Sequence, residues 1–232
     1  MCDEDKMWTK YQKETAKFYD EQTYADNFLV NIVNNSGHKI IEKEFGEKIF
    51  FENVIEVGSG TGHHMSFIKH RYKNYYMTDI SKSYLELSKK KNKFYQNIKY
   101  EIQDATKLNY DDNTFERLIS VYNLEHLNRP HLVIKEWKRV VKNNGIISIA
   151  IPADGGVAWR LGRFLTTRNT MRKRGFDLDY IIAREHVNPA YNLISLIRFY
   201  FKNIREFWYP MILPLIDINL VYCCNIKVEK KI

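Results

Sequence analysis

Val54-Ile-Glu-Val-Gly-Ser-Gly-Thr-Gly62 decides the reading of this chain: an apolar, strand-like run passes into glycines at 58, 60 and 62. Glycine permits backbone conformations closed to other residues and lets a ligand approach the main chain closely, so the turn after the strand becomes a shelf for a nucleotide-like cofactor. A helix is expected directly after Gly62. The dinucleotide fingerprint GxGxxG needs a glycine at 63, where His63 stands, which argues against a nicotinamide or flavin enzyme. Glu56 is a carboxylate at the end of an apolar strand, and burying it requires a cation or a hydrogen-bond donor. An ammonium group on a ligand would serve.

Working outward, Tyr75-Tyr-Met-Thr-Asp79 reads as a second strand ending in an acid 21 residues after Gly58, close to the spacing at which a carboxylate meets ribose hydroxyls. Ile80 beside it offers an apolar surface to a purine face. Asp79 reads equally well as a helix N-cap. Ile98 to Ala105 forms a third strand with Asp104 at its end. A helix is expected over Pro130–Asn144, with Val133, Ile134, Trp137, Val140 and Val141 inward, proline near its start and Gly145 after its end. Ile146 to Ile151 is a fifth strand. Strand-like runs at Arg205–Tyr209 and Asn219–Val228 close the pattern. Alternating strands and helices in 232 residues of 44% hydrophobic content describe a single α/β domain with a mostly parallel sheet and helices on both faces.

Glu56-Val-Gly-Ser-Gly-Thr-Gly62, Asp79, Asp104 and the Leu124-Glu-His-Leu127 ending together resemble the class I S-adenosylmethionine-dependent methyltransferases of small-molecule type. The matching motifs span about residues 50 to 152. The resemblance implies a Rossmann-like, seven-stranded sheet whose last strand is antiparallel, with S-adenosyl-L-methionine as cofactor. It places Glu56, Gly58, Ser59, Gly60, Gly62, Asp79 and Ile80 at that cofactor. Asp104 and Ala105 fall at its adenine, and Asn123 and Leu124 at its methionine end. Tyr24, in a segment that resembles the N-terminal lid of quinone-type and sugar-type methyltransferases, is a further cofactor candidate, with a core tyrosine as the plain alternative. The division expected is a helical lid over residues 1–46, a cofactor core over 47–152, a substrate-covering insert over 153–203 and C-terminal strands over 204–232.

The insert opens with Pro152-Ala-Asp-Gly-Gly156. Between Gly155 and Phe176 it holds six basic residues, Arg160, Arg163, Arg168, Arg172, Lys173 and Arg174, and no acid. Arginine holds phosphate and carboxylate in bidentate geometry, so Arg160, Arg163, Arg168 and Arg172 are substrate-binding candidates for an anionic acceptor. A solvated basic helix face is the plain alternative. His126 and His186 are the candidate bases for an acceptor that must lose a proton. His63 and His64 are expected to face solvent or the methionine tail.

A methyltransferase acting on a sugar, nucleotide sugar or phosphorylated precursor, such as those of bacterial surface polysaccharide, is therefore expected. Quinone-precursor C-methylation is the alternative, and Met211, Ile212, Leu213, Leu215 and Ile216 suit an apolar tunnel, a homodimer contact or the core. RNA methylation is an alternative that the net charge of +8 would suit, but no nucleic-acid module is present, and a non-catalytic partner would show an eroded cofactor site, whereas Glu56, the three glycines, Asp79 and Asp104 all stand here. The charged start, Met1-Cys-Asp-Glu-Asp-Lys6, lacks an apolar core segment. Three cysteines form neither a disulfide framework nor a metal spacing, so a reducing cytoplasm is expected. No transmembrane span is expected, because Pro210, Pro214, Asp217 and Asn219 interrupt the longest apolar stretch.

Overall fold

The computed structural model describes residues 6–11, 14 and 28–230. Seven strands lie in the order β3-β2-β1-β4-β5-β7-β6: β1 Phe50–Val57, β2 Arg71–Asp79, β3 Ile98–Ile102, β4 Phe115–Val121, β5 Val141–Pro152, β6 Ile204–Tyr209 and β7 Val221–Lys227. The first five strands pair parallel, and β7 runs antiparallel to both β5 and β6. The expected sheet, with its antiparallel last strand, is present. β7 lies inside the sheet and β6 forms the edge.

Period-two alternation assigns each strand's side chains to two cores. Ile55 and Val57 belong to a cluster with Leu118, Ile147, Ile149 and Trp137. Helices Pro130–Val140 and Ala190–Tyr200 cover that face through Val133, Ile134, Leu193 and Ile197. Val54 points the other way, into a cluster with Tyr75, Met77, Ile119 and Ile41. On that side sit the helices Phe28–Glu42 and Lys82–Lys91, the second capped by the Ser81 hydroxyl, which accepts from Tyr84 N–H.

Two local expectations change. After Gly62 the chain forms only a 3₁₀ turn, His63–Phe67, and enters β2 at Arg71. The connection is too short to lay a full α-helix on the sheet and return. The helix Phe28–Glu42 covers this region instead: His38 stacks on Phe67 at 5.0 Å and Asn35 Oδ1 lies 2.9 Å from His63 Nε2. This helix is therefore part of the core rather than of a lid. The helix expected to reach Asn144 ends at Val140, and Val141 is already extended and paired with Phe115. Asn144 then takes a positive φ of 64°, within a register shift of the β4/β5 ladder. Of the late apolar run, Met211, Ile212, Leu213 and Leu215 are exposed, and Ile216 packs against the first core cluster.

Arg117, wholly buried at the centre of β4, is the largest polar side chain in the interior. Its Nη1 and Nη2 donate to the two Glu42 oxygens at 3.0 and 2.6 Å, and Nη2 also donates to Ser148 Oγ at 3.2 Å. The Phe45 ring lies 3.8 Å from the guanidinium carbon. Burial pushes the Glu42 carboxyl up, but Arg117 and His64 outweigh it and hold the group at about 2. His64 Nε2 is 3.0 Å from Glu42, and its Nδ1 is 2.8 Å from His38 Nδ1. His64 is thus a buried member of a polar network, not a solvent-facing residue.

Candidate functional site

At the carboxyl ends of β1 and β2 the three glycines all adopt positive φ, 72° at Gly58, 51° at Gly60 and 73° at Gly62. The loop is tied to β2: the Gly58 and Ser59 N–H groups donate to Thr78 O, and Gly60 N–H donates to Asp79 Oδ2, each at 2.9 Å. Asp79 Oδ1 accepts from Ser81 N–H at 2.8 Å. Burial raises the Asp79 carboxyl, against these backbone hydrogen bonds. Asp79 is therefore the post that holds the glycine loop, while Ser81 is the helix cap. Ile80 and Ile102, 73% and 57% exposed, flank it at the ends of β2 and β3.

Glu56 is 3% exposed and accepts a hydrogen bond from the Tyr75 hydroxyl at 2.8 Å. Burial is the main cause that pushes its carboxyl up to about 7. The buried Ser59 Oγ has no hydrogen-bond partner. An adenosine with an attached amino acid fits such a rim: exposed apolar surface for a ring, a carboxylate at the strand end and a buried acid whose one hydrogen-bond donor is the Tyr75 hydroxyl. Asp104 lies on the exposed side, its Oδ1 accepting from Thr106 N–H and Oγ1–H, and Ala105 is buried beneath it. Tyr24 lies outside the described residues.

Asn123 connects this rim to a second group. Its Nδ2 donates to Val57 O at 3.3 Å, and its amide occupies the space a Gly58 side chain would need, within 2.4 Å of the Cβ position. A side chain at 58 would displace Asn123. The turn Leu124–His126 follows at once. Asn188 clamps that turn to the end of the insert by donating to Leu127 O at 2.7 Å, and its backbone N–H donates to Glu125 O.

The clamp brings His126 and His186 edge to face, ring centres 4.8 Å apart. His186 Nδ1 is 2.9 Å from Asp154 Oδ2, and His126 Nδ1 is 3.0 Å from Glu185 O. Both partners only accept, so each Nδ1 is the donor in its hydrogen bond. The His126 side chain is 37% exposed, and loss of hydration around the ring and the neighbouring His186 lower its titration below the ordinary histidine value. Glu125 is 2% exposed, its Oε2 lacks a partner, and burial raises the group to about 7. Arg163 reaches toward Asp154 at 3.9 Å and lies over the Trp159 ring at 4.0 Å. The two predicted histidines are thus brought together. Asp154 and Glu125 were quoted in the sequence without a role; the signal for Asp154 was its place two residues after a strand end.

The basic run divides. Arg160, Arg163 and Arg168 line a cleft of about 420 Å³ with Val157, Leu161, Phe164 and Asp179. Arg168 is paired with Asp179 at 3.0 Å. Arg172 is exposed and does not line the cleft.

Residues 55–149 match the family model described as "Methyltransferase domain". Among curated proteins, an uncharacterized protein of Methanocaldococcus jannaschii, MJ1252, is 27% identical over 210 residues, covering 87% of this chain and 74% of that one. A demethylmenaquinone methyltransferase of Clavibacter sepedonicus is 21% identical over 173 residues, 73% of this chain and 66% of its own length. Among solved structures, the N-methyltransferase NodS of Bradyrhizobium japonicum WM9 in complex with S-adenosyl-L-homocysteine superposes with a TM-score of 0.61 at 12% identity, over 89% of this chain and 90% of that chain.

Proposed function

Residues 55–149 are a methyltransferase domain of the class I, S-adenosylmethionine-dependent kind, and from that premise we propose that the chain methylates a protic group on a small anionic acceptor, with His186 as the base. The observation that carries this reading is the Asp154–His186 pair beside Arg163, at the end of the sheet where the glycine loop and Asp79 stand. Glu56, the 58–62 loop, Asp79 and Ile80 would hold the cofactor, with Asn123 at the junction to the acceptor. Asp104, on the exposed side, and Tyr24 are the weaker members of that set.

S-adenosylmethionine, when bound, supplies an electrophilic methyl group on a sulfonium. The protein's task is then alignment and proton removal. With the cofactor bound, transfer would break the sulfur–methyl bond and leave S-adenosylhomocysteine as the neutral thioether; His186 Nε2 would take the proton lost by the acceptor oxygen or nitrogen, and Asp154 would hold Nδ1–H and stabilise the imidazolium. His126 stands edge-on to His186, ring centres 4.8 Å apart, and packs against the base. Arg163 and Arg160 suit a phosphate or carboxylate on the same substrate. Arg168 is already matched by Asp179, and Arg172 stands away from the cleft.

Lipid-quinone C-methylation is the second reading, because Val157, Leu161 and Phe164 give the same cleft an apolar wall. The deciding test is release of S-adenosylhomocysteine with phosphorylated sugars, nucleotide sugars, quinone precursors and amines as acceptors. Turnover confined to anionic acceptors and lost in Arg163→Ala supports the first reading, and turnover with quinols replaces it by the second.

Cofactor binding has its own prediction. Asp79→Ala is expected to weaken S-adenosylmethionine binding by about 1–3 kcal/mol, the range for charged hydrogen bonds, in isothermal titration. Unchanged affinity in a folded variant would remove Asp79 from the cofactor site.

A further inference from the structure

The helix Val157–Leu165 has its apolar stripe on the outside. Val157, Leu161, Phe164 and Leu165 recur at i, i+4, i+7 and i+8, the spacing of a core-facing face, yet they are 62%, 55%, 57% and 66% exposed. Neither this helix nor the next, Thr167–Lys173, buries a single residue. A second element extends the patch. In the loop after β6, Met211, Ile212, Leu213 and Leu215 are 48%, 94%, 58% and 54% exposed. That loop is fastened to the helix: Val157 N–H donates to Asp217 Oδ1 at 3.3 Å, and Ile216 O fills the space beside Gly156.

Cations border the apolar surface. Arg160 and Arg168 line the cleft between Leu161 and Phe164, and Arg172 and Lys173 continue along the next helix. Arg168 and Asp179 neutralise one another and Asp217 faces the helix N-terminus, so the positive charge of the face rests on Arg160, Arg172 and Lys173. Contiguous apolar surface beside clustered cations matches a hydrocarbon layer under an anionic headgroup layer. A second copy in a symmetric contact would set the same cations against one another.

We propose that this face, the helices Val157–Lys173 with the loop Met211–Leu215, seats the protein on an anionic lipid bilayer. Ile212 and Leu165 enter the acyl boundary and the arginines meet phosphate headgroups. The mouth of the Arg160/Arg163/Phe164 cleft then opens at the membrane surface, where an acceptor carrying both an anionic group and a hydrocarbon chain is delivered. The docking itself does not depend on the reaction.

The test is co-sedimentation of the full chain with vesicles of phosphatidylcholine alone and of phosphatidylcholine containing phosphatidylglycerol. Binding is expected only to the anionic vesicles and to weaken as salt rises. Leu165→Glu combined with Ile212→Glu is expected to reduce it by at least about tenfold with the melting temperature unchanged, since both side chains are mostly exposed. Equal recovery with neutral vesicles, or wild-type binding by the double variant, would overturn the proposal. Concentration-dependent dimerisation abolished by the same substitutions, without vesicle binding, would assign the face to a second copy instead.

Discussion

Arg117→Met is expected to destabilise the fold by about 3–5 kcal/mol, the cost of removing one member of a buried ion pair. The loss arises less from the missing attraction than from what remains. Glu42 would stay 4% exposed without the two guanidinium hydrogen bonds that now reach it at 3.0 and 2.6 Å. Urea unfolding measures the effect. Adding Glu42→Leu to Arg117→Met should recover most of the loss, because a buried ion pair is replaceable by apolar residues of similar volume once both charges are gone. A single variant as stable as the parent would show that the network contributes nothing.

The same pair carries a pH dependence of definite sign. Glu42 is held at about 2 in the folded chain against an ordinary 4.5, a difference equivalent to about 3 kcal/mol. That stability is complete above pH 4.5 and is lost as pH falls toward 2. Glu56 acts in the opposite direction. Its folded value is raised to about 7, so the fold favours its protonated form and loses stability as pH rises from 4.5 through 7. A Glu56→Gln variant should therefore lose less unfolding free energy than the parent between pH 5 and pH 7 in urea titrations, on the order of 1 kcal/mol per pH unit less.

His186→Gln is expected to lower kcat by about 10²–10⁴ on a protic acceptor, the usual contribution of a positioned base, with little change in S-adenosylmethionine affinity. Asp154→Asn should fall in the same direction without matching it. An amide still accepts from Nδ1–H but no longer stabilises an imidazolium. The orienting role is separated from a structural one by the KM-against-kcat split: Asp154→Asn should lower kcat while KM and S-adenosylmethionine affinity stay within about twofold of the parent. Undiminished turnover in His186→Gln would sink the assignment and leave His126 or an acceptor that needs no base, such as a neutral amine.

Much of the framework was legible in the chain itself. The glycine spacing, the acids ending three successive strands and the period-two runs define the parallel core, because each is a local rule of backbone freedom or burial. Trp137, Val133 and Ile134 are buried as their helical spacing requires, and Cys223 and Cys224 lie buried and free in β7. Boundaries were less legible: Val141 fits a helix by spacing, but pairing with Phe115 draws it into β5. β-branched residues satisfy either element, and only a strand partner decides between them.

What tertiary structure alone decided is what joins distant segments. Arg117 and Glu42 are 75 residues apart, and no local pattern pairs a strand arginine with a helix glutamate. The short turn at His63–Phe67 is explained only by the Phe28–Glu42 helix that covers it. Asp154, Glu125 and His186 meet because Asn188 holds the Leu124–His126 turn. The six cations of the insert look uniform in sequence, yet folding turns Arg163 toward Asp154, matches Arg168 with Asp179 and leaves Arg172 outside the cleft. Residue type and spacing determine which chemistry a segment can carry. Packing determines which groups lose their water together, and so which of them pair, shift their protons or stay at the surface.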